Sequence, residues 1–345
     1  MRKKKSRISI IIPCYNEEKS IKKCIESCLN QTRKADEIIV VDDSSTDNSL
    51  KILKSFGKRI KVVEIKKRLG NKSYVQERGL KYIKGDIFIA TDGDSILDRN
   101  FVKKVADNFN NNSEVMAISG MVKSLKHNWL TSCRELDYVV GQRIHKLAQS
   151  YMDSLLVIPG CAGAFRTDIF RKYIKFDHDT LTEDLDFTYK FHENGLKISY
   201  DRSIITYTQD PSDIRSYIRQ MRRWYSGGWQ NLKKHSFRII NRPKNVLELS
   251  LIYIEGLVFS VLLFLGPLLN IHFLEYAILP YFIIVVGIAT YAAVVERRID
   301  LIIYSPMYFL LKFLNAGIFI YEFVNEIILR KNNGTWFFAE RRALS

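Results

Sequence analysis

Three short acidic clusters carry the side chains of this 345-residue chain that could do chemistry on a phosphorylated ligand. They are Asp42-Asp43, Asp92-Gly93-Asp94 and Thr182-Glu183-Asp184, in this order along the chain. Two carboxylates separated by a glycine make a compact set of hard oxygen ligands, which suits a divalent cation bound to a diphosphate. Such a cation offsets the charge that develops when a nucleoside diphosphate leaves. A carboxylate of the third cluster is suited to remove a proton from an acceptor hydroxyl.

Each cluster also has an ordinary structural explanation. Asp42 and Asp43 could cap a helix, or they could accept hydrogen bonds from the base or ribose of a nucleotide. An Asp-Gly pair is common in turns, and Glu183-Asp184 could cap the helix that it opens. For Asp92-Gly93-Asp94 the metal-site interpretation is favoured, because this cluster directly follows a predicted buried strand.

A fourth motif, Gln220-Met221-Arg222-Arg223-Trp224, stands shortly before the first long apolar stretch of the chain. It places an amide, fixed positive charge and a large aromatic face where a soluble domain would meet a membrane. A basic, aromatic anchor at the membrane interface is the alternative explanation. That alternative does not account for three acidic clusters upstream, so a role in a shared site is favoured.

The elements that must position these side chains alternate between strand and helix. Short β-branched runs predict buried strands, and apolar residues at helical spacing predict the helices between them. The alternation indicates an α/β domain with a mostly parallel sheet. Ligands of such sheets bind beyond the carboxyl ends of the strands, where the first two acidic clusters lie. The predicted strands are Ile8–Ile12, Ile38–Val41, Lys61–Ile65 and Ile87–Ala90, and the predicted helices are Glu17–Leu29, Asp47–Phe56 and Ser73–Ile83.

The last third of the chain is apolar and predicts membrane helices. Leu249–Leu269 and Ala277–Val295 are each close to the roughly 20 residues of a spanning helix. The loop between them has no Lys or Arg, whereas Arg297 and Arg298 follow the second span. The positive-inside rule therefore places both ends of this hairpin in the cytoplasm. Leu301–Leu329 is apolar but interrupted by charged residues, so a third span and an amphipathic helix in the interface both remain open.

The formal net charge of +16 by itself excludes few classes of protein function. Basic residues cluster just before the apolar region, which favours an anionic membrane surface over nucleic acid, and no nucleic-acid motif accompanies the charge. The five cysteines show no paired metal-ligand spacing, so we expect reduced, partly buried thiols. The apolar run after the basic N-terminus stops at Pro13, which predicts no cleavable signal peptide and a cytoplasmic soluble domain.

Five motifs together resemble the family 2 inverting glycosyltransferases. They are Pro13-Cys14-Tyr15-Asn16-Glu17-Glu18, Asp42-Asp43-Ser44-Ser45-Thr46-Asp47, Asp92-Gly93-Asp94, Thr182-Glu183-Asp184 and Gln220-Met221-Arg222-Arg223-Trp224. The last motif makes the chain most similar to the membrane-bound, often processive branch, which includes cellulose, chitin, hyaluronan and poly-N-acetylglucosamine synthases. Lipid glycosylators such as the ceramide glucosyltransferases look similar too. The resemblance runs from about Ile8 to Trp229, and weakly to Trp336 and Arg341.

The resemblance implies a Rossmann-like, nucleotide-sugar-binding domain of the GT-A type, and it implies a role for each matching residue. Uridine diphosphate would be held by Tyr15, Asp43 and Asp92. Asp94 would ligate Mg²⁺ or Mn²⁺, and Asp184 would be the catalytic base. The acceptor and the diphosphate would be bound by Glu183, Gln220, Arg223 and Trp224. These roles fit the chemistry, because Arg pairs with phosphate oxygens and an indole face packs against a sugar ring.

Two features depart from the family pattern. Where many members have a Lys-Ala…Ala-Leu-Asn run, this chain has Lys72-Ser73-Tyr74-Val75-Gln76-Glu77, with Glu in place of Asn. No predicted membrane helix precedes the catalytic domain and at most three follow it, fewer than in large processive synthases. We therefore expect a translocation partner, a homo-oligomer or a lipid acceptor.

These observations predict a membrane-bound, metal-dependent inverting glycosyltransferase that transfers a sugar from a nucleotide sugar, a UDP-sugar by the resemblance, to a growing polysaccharide. Transfer of one sugar to a lipid acceptor is the alternative, and an inactive nucleotide-sugar-binding membrane protein is a third interpretation. The predicted organisation is a cytoplasmic catalytic domain over 1–245, a membrane region over 246–329 and a cytoplasmic tail over 330–345. The predicted location is the cell membrane, as a multi-pass protein that binds no nucleic acid.

Overall fold

The computed structural model describes residues 6–239, 243–270, 272–331 and 342–343. They fall into two compact units. Unit 1 comprises residues 6–123, 146–209 and 342–343, and unit 2 comprises the described residues within 124–145 and 210–331. Trp336 and Arg341, which carry the weak end of the family resemblance, lie outside the described residues.

Unit 1 is built on a sheet of eight strands. They are β1 (Ile8–Cys14), β2 (Glu37–Asp42), β3 (Lys61–Glu64), β4 (Ile87–Ala90), β5 (Ser95–Leu97), β6 (Val115–Ser124), β7 (Gly163–Arg166) and β8 (Lys197–Thr208). Their order across the sheet is β3-β2-β1-β4-β7-β6-β8-β5. β1 pairs in parallel with β2 and β4, and β2 pairs in parallel with β3. The predicted α/β domain, with its four parallel strands, is confirmed.

Three further strand pairs are antiparallel, which the sequence did not predict. β7 pairs with β4, β6 with β7, and β5 with β8. The β4–β7 register sets Ala90 opposite Gly163. As a result, the small-residue loop that precedes β7 lies beside the carboxyl end of β4, where the second acidic cluster begins.

The helices are α1 (Ile21–Leu29), α2 (Ser49–Ser55), α3 (Lys72–Leu80), α4 (Phe101–Asn111), α5 (Trp129–Tyr138), α6 (Lys146–Tyr151), α7 (Thr167–Tyr173), α8 (Glu183–Glu193), α9 (Ile214–Ile239), α10 (Pro243–Leu269), α11 (Leu279–Glu296), α12 (Asp300–Ile303) and α13 (Ser305–Phe323). Short π-helical segments cover Val139–His145, Leu274–Ile278 and Val324–Ile328, and one 3₁₀ turn covers Gly57–Arg59.

Both faces of the sheet in unit 1 are buried, which explains the continuous apolar runs of its central strands. Ile8, Ile10 and Ile12 of β1 pack in one core cluster with side chains of α1 and α4. Ile11 points to the other face and packs in a second cluster with α3, α7 and α8. This alternation follows from the two-residue repeat of side chains along a strand.

Unit 2 is helical and has its own core, formed by side chains of α5, α9, α11 and α13. Among the described residues, three segments have the length and apolar composition to cross a membrane: Ile252–Leu269, Glu275–Glu296 and Ser305–Ile328, with mean hydropathies of 2.1, 2.3 and 1.4. The predicted spans Leu249–Leu269 and Ala277–Val295 coincide with the first two segments.

The third segment is less apolar because polar side chains interrupt it, and four of these bond to α5 or α9. Their contacts are Lys312 Nζ with Asp137 Oδ1 at 2.6 Å, Asn315 Oδ1 with the Tyr217 hydroxyl at 2.9 Å, Glu322 Oε1 with Arg222 Nε at 2.6 Å, and Glu326 Oε1 with Gln230 Nε2 at 3.0 Å. One side of α13 therefore meets polar helices of unit 2 rather than lipid.

Candidate active site

The site begins at the turns that follow β1 and β2. Asn16 and Ser44 have φ values of 52° and 58°, in the left-handed region that residues other than glycine seldom adopt. Asn16 is held by Thr46, whose backbone N–H donates to Asn16 Oδ1 at 2.8 Å, and the Ser44 hydroxyl donates to the carbonyl of Ile65 at 2.6 Å. Backbone strain of this kind persists where the surroundings enforce it, and it is concentrated at ligand sites.

Tyr15 and Asp43, both assigned to the nucleotide by sequence, form one wall with the loop before α3. The Asp43 carboxylate accepts hydrogen bonds from the backbone N–H groups of Leu69 at 2.7 Å and Gly70 at 3.0 Å. The guanidinium of Arg68, in the same loop, lies 3.9 Å from the centre of the Tyr15 ring. Asp43 therefore orders the loop that closes over Tyr15, in addition to any contact it makes with a ligand.

Lys72 at the start of α3 connects the second acidic cluster to the third. Its Nζ lies 2.6 Å from Asp92 Oδ1 and 3.1 Å from Glu183 Oε1. Burial lowers the pKa of Lys72, but the negative charges of Asp92, Glu183 and Asp184 outweigh burial and raise it. The ammonium group therefore stays charged, and three of the predicted site residues gather around it.

Asp184 lies in the first turn of α8, beside the small-residue loop. Its Oδ2 accepts a hydrogen bond from the backbone N–H of Gly160 at 3.3 Å. A Cβ atom on Gly160 would lie 2.7 Å from Lys72 Nζ, so glycine is what lets the loop approach this closely. Thr182, the N-cap residue of α8, makes no side-chain capping bond. The carboxylates of Glu183 and Asp184, in the first turn of α8, are stabilised instead by the positive end of the helix dipole.

Asp94 and Cys161 complete this part of the site. Asp94 is 6% exposed, and its Oδ1 accepts a hydrogen bond from the Ser95 hydroxyl at 3.1 Å. Burial raises the pKa of the Cys161 thiol, and the charges of Asp92, Asp94 and Asp184 raise it further. Both effects favour the protonated thiol over the thiolate.

Lys146 is a second buried lysine near these carboxylates. It is 4% exposed, and its Nζ donates to the Ser119 hydroxyl at 3.1 Å. Burial lowers the pKa of Lys146 to about 7, although the negative charge of Asp184 acts in the opposite direction. This lysine therefore contributes only part of a positive charge near neutral pH.

A separate acidic group contains none of the predicted site residues. Oxygens of Asp177, Asp179 and Asp186 lie within 4.8 Å of one another. Lys190 Nζ lies 2.8 Å from Asp177 Oδ2 and 2.6 Å from Asp186 Oδ2, so a lysine already neutralises part of the charge. An acidic group paired in this way has a structural explanation.

Gln220, Arg223 and Trp224, the remaining predicted site residues, belong to α9 of unit 2. The Arg134 guanidinium lies 4.8 Å from the centre of the Trp224 ring. Within the described part of the chain, Gln220 Oε1 is buried and has no hydrogen-bond partner. A buried acceptor without a partner costs stability.

Known proteins are similar to this chain in both sequence and fold. Residues 9–174 match the family model described as glycosyl transferase family 2. The chain carries a family 2 glycosyltransferase domain. The matched range includes Tyr15, Asp43, Asp92 and Asp94, and it ends before the cluster that contains Asp184.

Curated relatives of this glycosyltransferase include bacterial polymer synthases. The poly-β-1,6-N-acetyl-D-glucosamine synthase of Staphylococcus epidermidis is 24% identical over 287 residues, which cover 80% of this chain and 69% of that protein. The enzyme of the same name from Staphylococcus aureus (strain COL) is 24% identical over 265 residues, which cover 75% of this chain and 64% of that one.

Solved structures confirm the predicted GT-A type of fold. The mannosyltransferase PcManGT from Pyrobaculum calidifontis, in complex with GDP-Man and Mn²⁺, has a TM-score of 0.69 at 19% identity and covers 95% of this chain and 89% of its own. Residues 1–349 of Staphylococcus aureus TarS, in complex with UDP-GlcNAc, have a TM-score of 0.54 at 18% identity, with coverages of 91% and 90%.

Three site features of this glycosyltransferase were missed from the sequence. Lys72 was noted only as the start of a divergent run, and Lys146 was not considered. Asp42 was given no role of its own, yet its Oδ1 is buried and has no hydrogen-bond partner among the described residues, and burial raises the pKa of its carboxyl. Lys72 could have been predicted as a site residue from the sequence. It opens the helix that follows the third predicted strand, and the first residues of such a helix lie near the strand ends.

Proposed function

We propose that this chain is a membrane-bound, metal-dependent, inverting glycosyltransferase that transfers a sugar from a UDP-sugar to a growing polysaccharide. The observation that carries the proposal is the Lys72-centred cluster, which joins Asp92, inside the range that matches family 2, to Glu183 beside Asp184. The polymer product is supported by the names of the curated relatives.

Asp184 is the proposed catalytic base. It removes the proton from the acceptor hydroxyl, whose oxygen then attacks the anomeric carbon on the face opposite the diphosphate. The bond between that carbon and the diphosphate oxygen breaks, the leaving group keeps the electron pair, and the proton resides on Asp184. The hydrogen bond from Gly160 to Asp184 Oδ2 orients the carboxylate for this task.

The nucleotide is proposed to bind against Tyr15, Asp43 and Asp92. Tyr15, with the Arg68 guanidinium over its ring, offers an aromatic surface for the nucleobase of the nucleotide. Asp43 orders the adjacent loop through Leu69 and Gly70, so the wall forms before the ligand arrives. A pre-formed wall lowers the entropic cost of binding.

Asp94 is the proposed ligand of Mg²⁺ or Mn²⁺, and Asp92 lies two residues before it. The donor set fits a hard divalent cation, because Asp94 is a buried carboxylate at a strand end and the nearby Cys161 thiol is protonated. When bound, the cation stabilises negative charge on the departing diphosphate. The mannosyltransferase from Pyrobaculum calidifontis was solved in complex with Mn²⁺, which supports a divalent metal here without choosing between the two ions.

The acceptor and the diphosphate are proposed to be bound by Gln220, Arg223 and Trp224. Glu183, next to the proposed catalytic base, is proposed to take part in the same binding. Trp224 presents an indole whose position is fixed by the guanidinium of Arg134. An ordered aromatic ring suits the apolar face of a sugar, while Arg223 supplies charge for phosphate oxygens.

The membrane arrangement is also a proposal. We place residues 1–245 and the tail from 330 in the cytoplasm, and α10 and α11 across the bilayer as a hairpin. α13 is bonded along its length to α9, which carries Arg215, Arg219, Arg222 and Arg223. Because such a helix does not enter hydrocarbon, we place α13 with it at the interface. Two spans enclose no channel, so a homo-oligomer or a translocation partner would carry the polymer.

The test is release of UDP by the purified chain in nanodiscs, over a panel of UDP-sugars with Mg²⁺ or Mn²⁺. The product would be sized on gels and by lipid extraction. Long water-soluble chains are the expected result. One sugar on an extractable lipid would replace polymer synthesis by single transfer to a lipid acceptor. Binding of UDP-sugars without turnover for any acceptor would establish an inactive binding protein instead.

A further inference from the structure

The segment between α7 and α8, residues 174–182, leads directly to Glu183 and Asp184 of the site. It contains one histidine, His178, whose side chain has 17% of its surface exposed. His178 lies against α3, the helix that begins with Lys72. No step of the proposed reaction uses this histidine, although it contacts the helix that supplies the shared cation of the site.

Three side chains of α3 contact the imidazole of His178. Its Nδ1 lies 2.7 Å from the Ser73 hydroxyl oxygen, and its Nε2 lies 3.3 Å from Glu77 Oε2. The Tyr74 ring is stacked on the imidazole, with the ring centres 3.4 Å apart and the planes at 22°. These contacts fix both the position and the plane of the imidazole. Glu77 stands where many family members have Asn, so its pairing with His178 belongs to the divergent run of this chain.

The hydrogen bonds around Ser73 determine which nitrogen of His178 carries a proton. Asn71 Oδ1 accepts from the backbone N–H of Ser73 at 3.0 Å, and the Ser73 hydroxyl donates to the same oxygen at 2.9 Å. A hydroxyl has one proton, so the Ser73 oxygen accepts from His178 Nδ1–H. A neutral imidazole is protonated on one nitrogen only, and a neutral His178 therefore presents a bare Nε2 to Glu77. Ser73 is 1% exposed with its proton directed at Asn71, so it is not suited to be a nucleophile.

The charge of His178 therefore decides whether its contact with Glu77 attracts or repels. In the neutral form, the lone pair of Nε2 faces a carboxylate oxygen, which is unfavourable. In the protonated form, Nε2–H donates to Glu77 Oε2 and makes a charge-assisted hydrogen bond. Histidine is the type of side chain that changes its charge between about pH 5 and 8. The attachment of residues 174–182 to α3 is therefore strong at acidic pH and weakens as the pH rises.

Other charged groups surround this contact, and the structure pairs several of them. Asp177 and Asp179 flank His178 in the chain. On the side of α8, Lys190 Nζ lies 2.8 Å from Asp177 Oδ2. On the side of α3, Lys72 is paired with Asp92 and Glu183. Glu77 contacts the imidazole directly, so it is the carboxylate whose replacement tests the attachment.

Two attachments join α3 to the chain that enters α8. One is the ion pair of Lys72 with Glu183, whose atoms are 3.1 Å apart. The other is His178, five residues before Glu183, on Ser73 and Glu77. A displacement of about 1 Å in a reacting group can cost about 100-fold in rate. The second attachment therefore bears on the reaction, because Asp184 follows Glu183 in the first turn of α8.

We propose that His178 is a positioning residue for the reaction: its protonated form bonds to Glu77 and so fixes the segment that ends at the proposed base, Asp184. This inference rests on the proposed glycosyltransferase function and adds a dependence of turnover on the charge of one histidine. His178 acts through the position of Asp184 and does not contact the reacting atoms.

The test measures turnover of UDP-GlcNAc by the full chain in nanodiscs with Mn²⁺, from about pH 5.5 to about pH 8.5. Glu77→Gln keeps the size of the side chain, and its amide N–H can donate to the bare Nε2 of a neutral His178. The ratio of wild-type kcat to that of Glu77→Gln should therefore fall about fivefold as the pH rises, the range for a partly exposed ion pair. KM for the donor should stay nearly unchanged. Glu114→Gln, with 80% of its side chain exposed, is the control and should give a constant ratio.

A second variant tests the histidine itself. His178→Asn keeps an N–H that can donate to the Ser73 oxygen, but it cannot gain a charge. Its kcat should be lower than that of the wild type at about pH 5.5, and the two values should converge as the pH rises. His127→Ala removes an exposed histidine of unit 2 and should keep the wild-type profile. If His178→Asn and Glu77→Gln both kept the shape of the wild-type pH profile, the role of His178 would be structural only, and the inference would be overturned.

Failure of this inference can be told from failure of the proposed function. If the wild-type chain turns over no donor, the proposed function fails, and thermal midpoints then test the charge-dependent attachment. The wild type should have the higher midpoint at about pH 5.5, and Glu77→Gln should have the higher one at about pH 8.5, because the contact attracts in the wild type only when His178 is protonated. A difference between the two midpoints that does not change with pH would overturn the inference.

Discussion

The two units both bury charged side chains, but they arrange them differently. In unit 2, Arg134 lies 2.7 Å from Asp137 and 3.3 Å from Asp210, and Lys312 lies 2.6 Å from Asp137. Two cations thus face two carboxylates. Burial raises the pKa of Asp137, but Lys312 and Arg134 outweigh burial and lower it, so the carboxylate stays ionised.

The site of unit 1 has four carboxylates, those of Asp92, Asp94, Glu183 and Asp184. Lys72 is fully charged, and burial lowers the pKa of Lys146 to about 7. Four carboxylates thus gather near two lysines, one of which is only partly charged near neutral pH. The difference teaches that a buried network of salt bridges can serve the fold alone, whereas carboxylates gathered at strand ends are suited to a cationic ligand.

The largest effect is expected from Asp184→Asn. Turnover should fall about 100- to 10,000-fold, the range for loss of a general base, while affinity for UDP should be nearly unchanged. Asp168→Asn removes an exposed carboxylate from the first turn of α7 and is the matched control. Full turnover in the Asp184 variant, measured as UDP release, would remove the assignment of Asp184 as the catalytic base.

Lys72→Met should weaken both folding and donor binding. It leaves Asp92 and Glu183 without their shared cation, and breaking a buried ion pair costs about 3–5 kcal/mol. Chemical denaturation and UDP-sugar titration in the presence of Mn²⁺ would measure the two losses. Because a bound cation restores part of the balance, Mn²⁺ should raise the thermal midpoint of this variant more than that of the wild type. An equal response to Mn²⁺ would separate Lys72 from the metal site.

Variants of the balanced network in unit 2 should affect stability rather than chemistry. Asp137→Asn or Lys312→Met alone should destabilise the protein by about 3–5 kcal/mol, and the double variant by less than the sum. Thermal midpoints in nanodiscs would give the coupling, and kcat per folded molecule should change little. A large loss of kcat with an unchanged midpoint would show that this network belongs to the reaction after all.

Trp224→Ala should lower acceptor use about tenfold and leave metal-dependent affinity for UDP nearly unchanged, since a sugar loses its aromatic platform. Phe313→Ala removes an aromatic ring from α13 and serves as a control for loss of bulk in unit 2. KM for the acceptor and calorimetric affinity for UDP are the measurements. Equal losses in both would contradict an acceptor role.

The last prediction concerns Lys146 and the pH dependence of stability. Its pKa is about 7 in the folded protein and has the ordinary higher value when unfolded, so the unfolded state binds more protons between these values. Stability from this residue should therefore increase with pH from about 7 to about 10.5, by up to about 1.4 kcal/mol per pH unit. Lys146→Met should remove this slope from the thermal midpoint. If the variant kept the same slope, the pH dependence of stability would belong to another titratable side chain.

Much of the fold could be predicted because the parallel strands are buried on both faces. The runs Ile8–Ile12, Ile38–Val41 and Ile87–Ala90 are continuous and apolar for that reason, and their ends fixed the places of Asp42-Asp43 and Asp92-Gly93-Asp94. The antiparallel half gave no such signal. β5 has three residues, and β8 alternates irregularly between buried and exposed side chains.

The site was only partly predictable because its centre depends on long-range pairing. The β4–β7 register brings Gly160 to Asp184 and Lys72, and no spacing in the sequence contains that register. His178 reads as an ordinary polar loop residue until the fold shows its contacts with α3. The carboxylates themselves were found, since their position after buried strands is visible in the sequence. The division into 1–245, 246–329 and 330–345 stays a prediction.

The most direct test of the central claim is a structure of the full chain in nanodiscs with UDP-GlcNAc and Mn²⁺. We expect the metal beside Asp94, the uracil ring against Tyr15 and the anomeric carbon facing Asp184. A metal bound instead between Asp177, Asp179 and Asp186, with the nucleotide away from Lys72, would contradict the account.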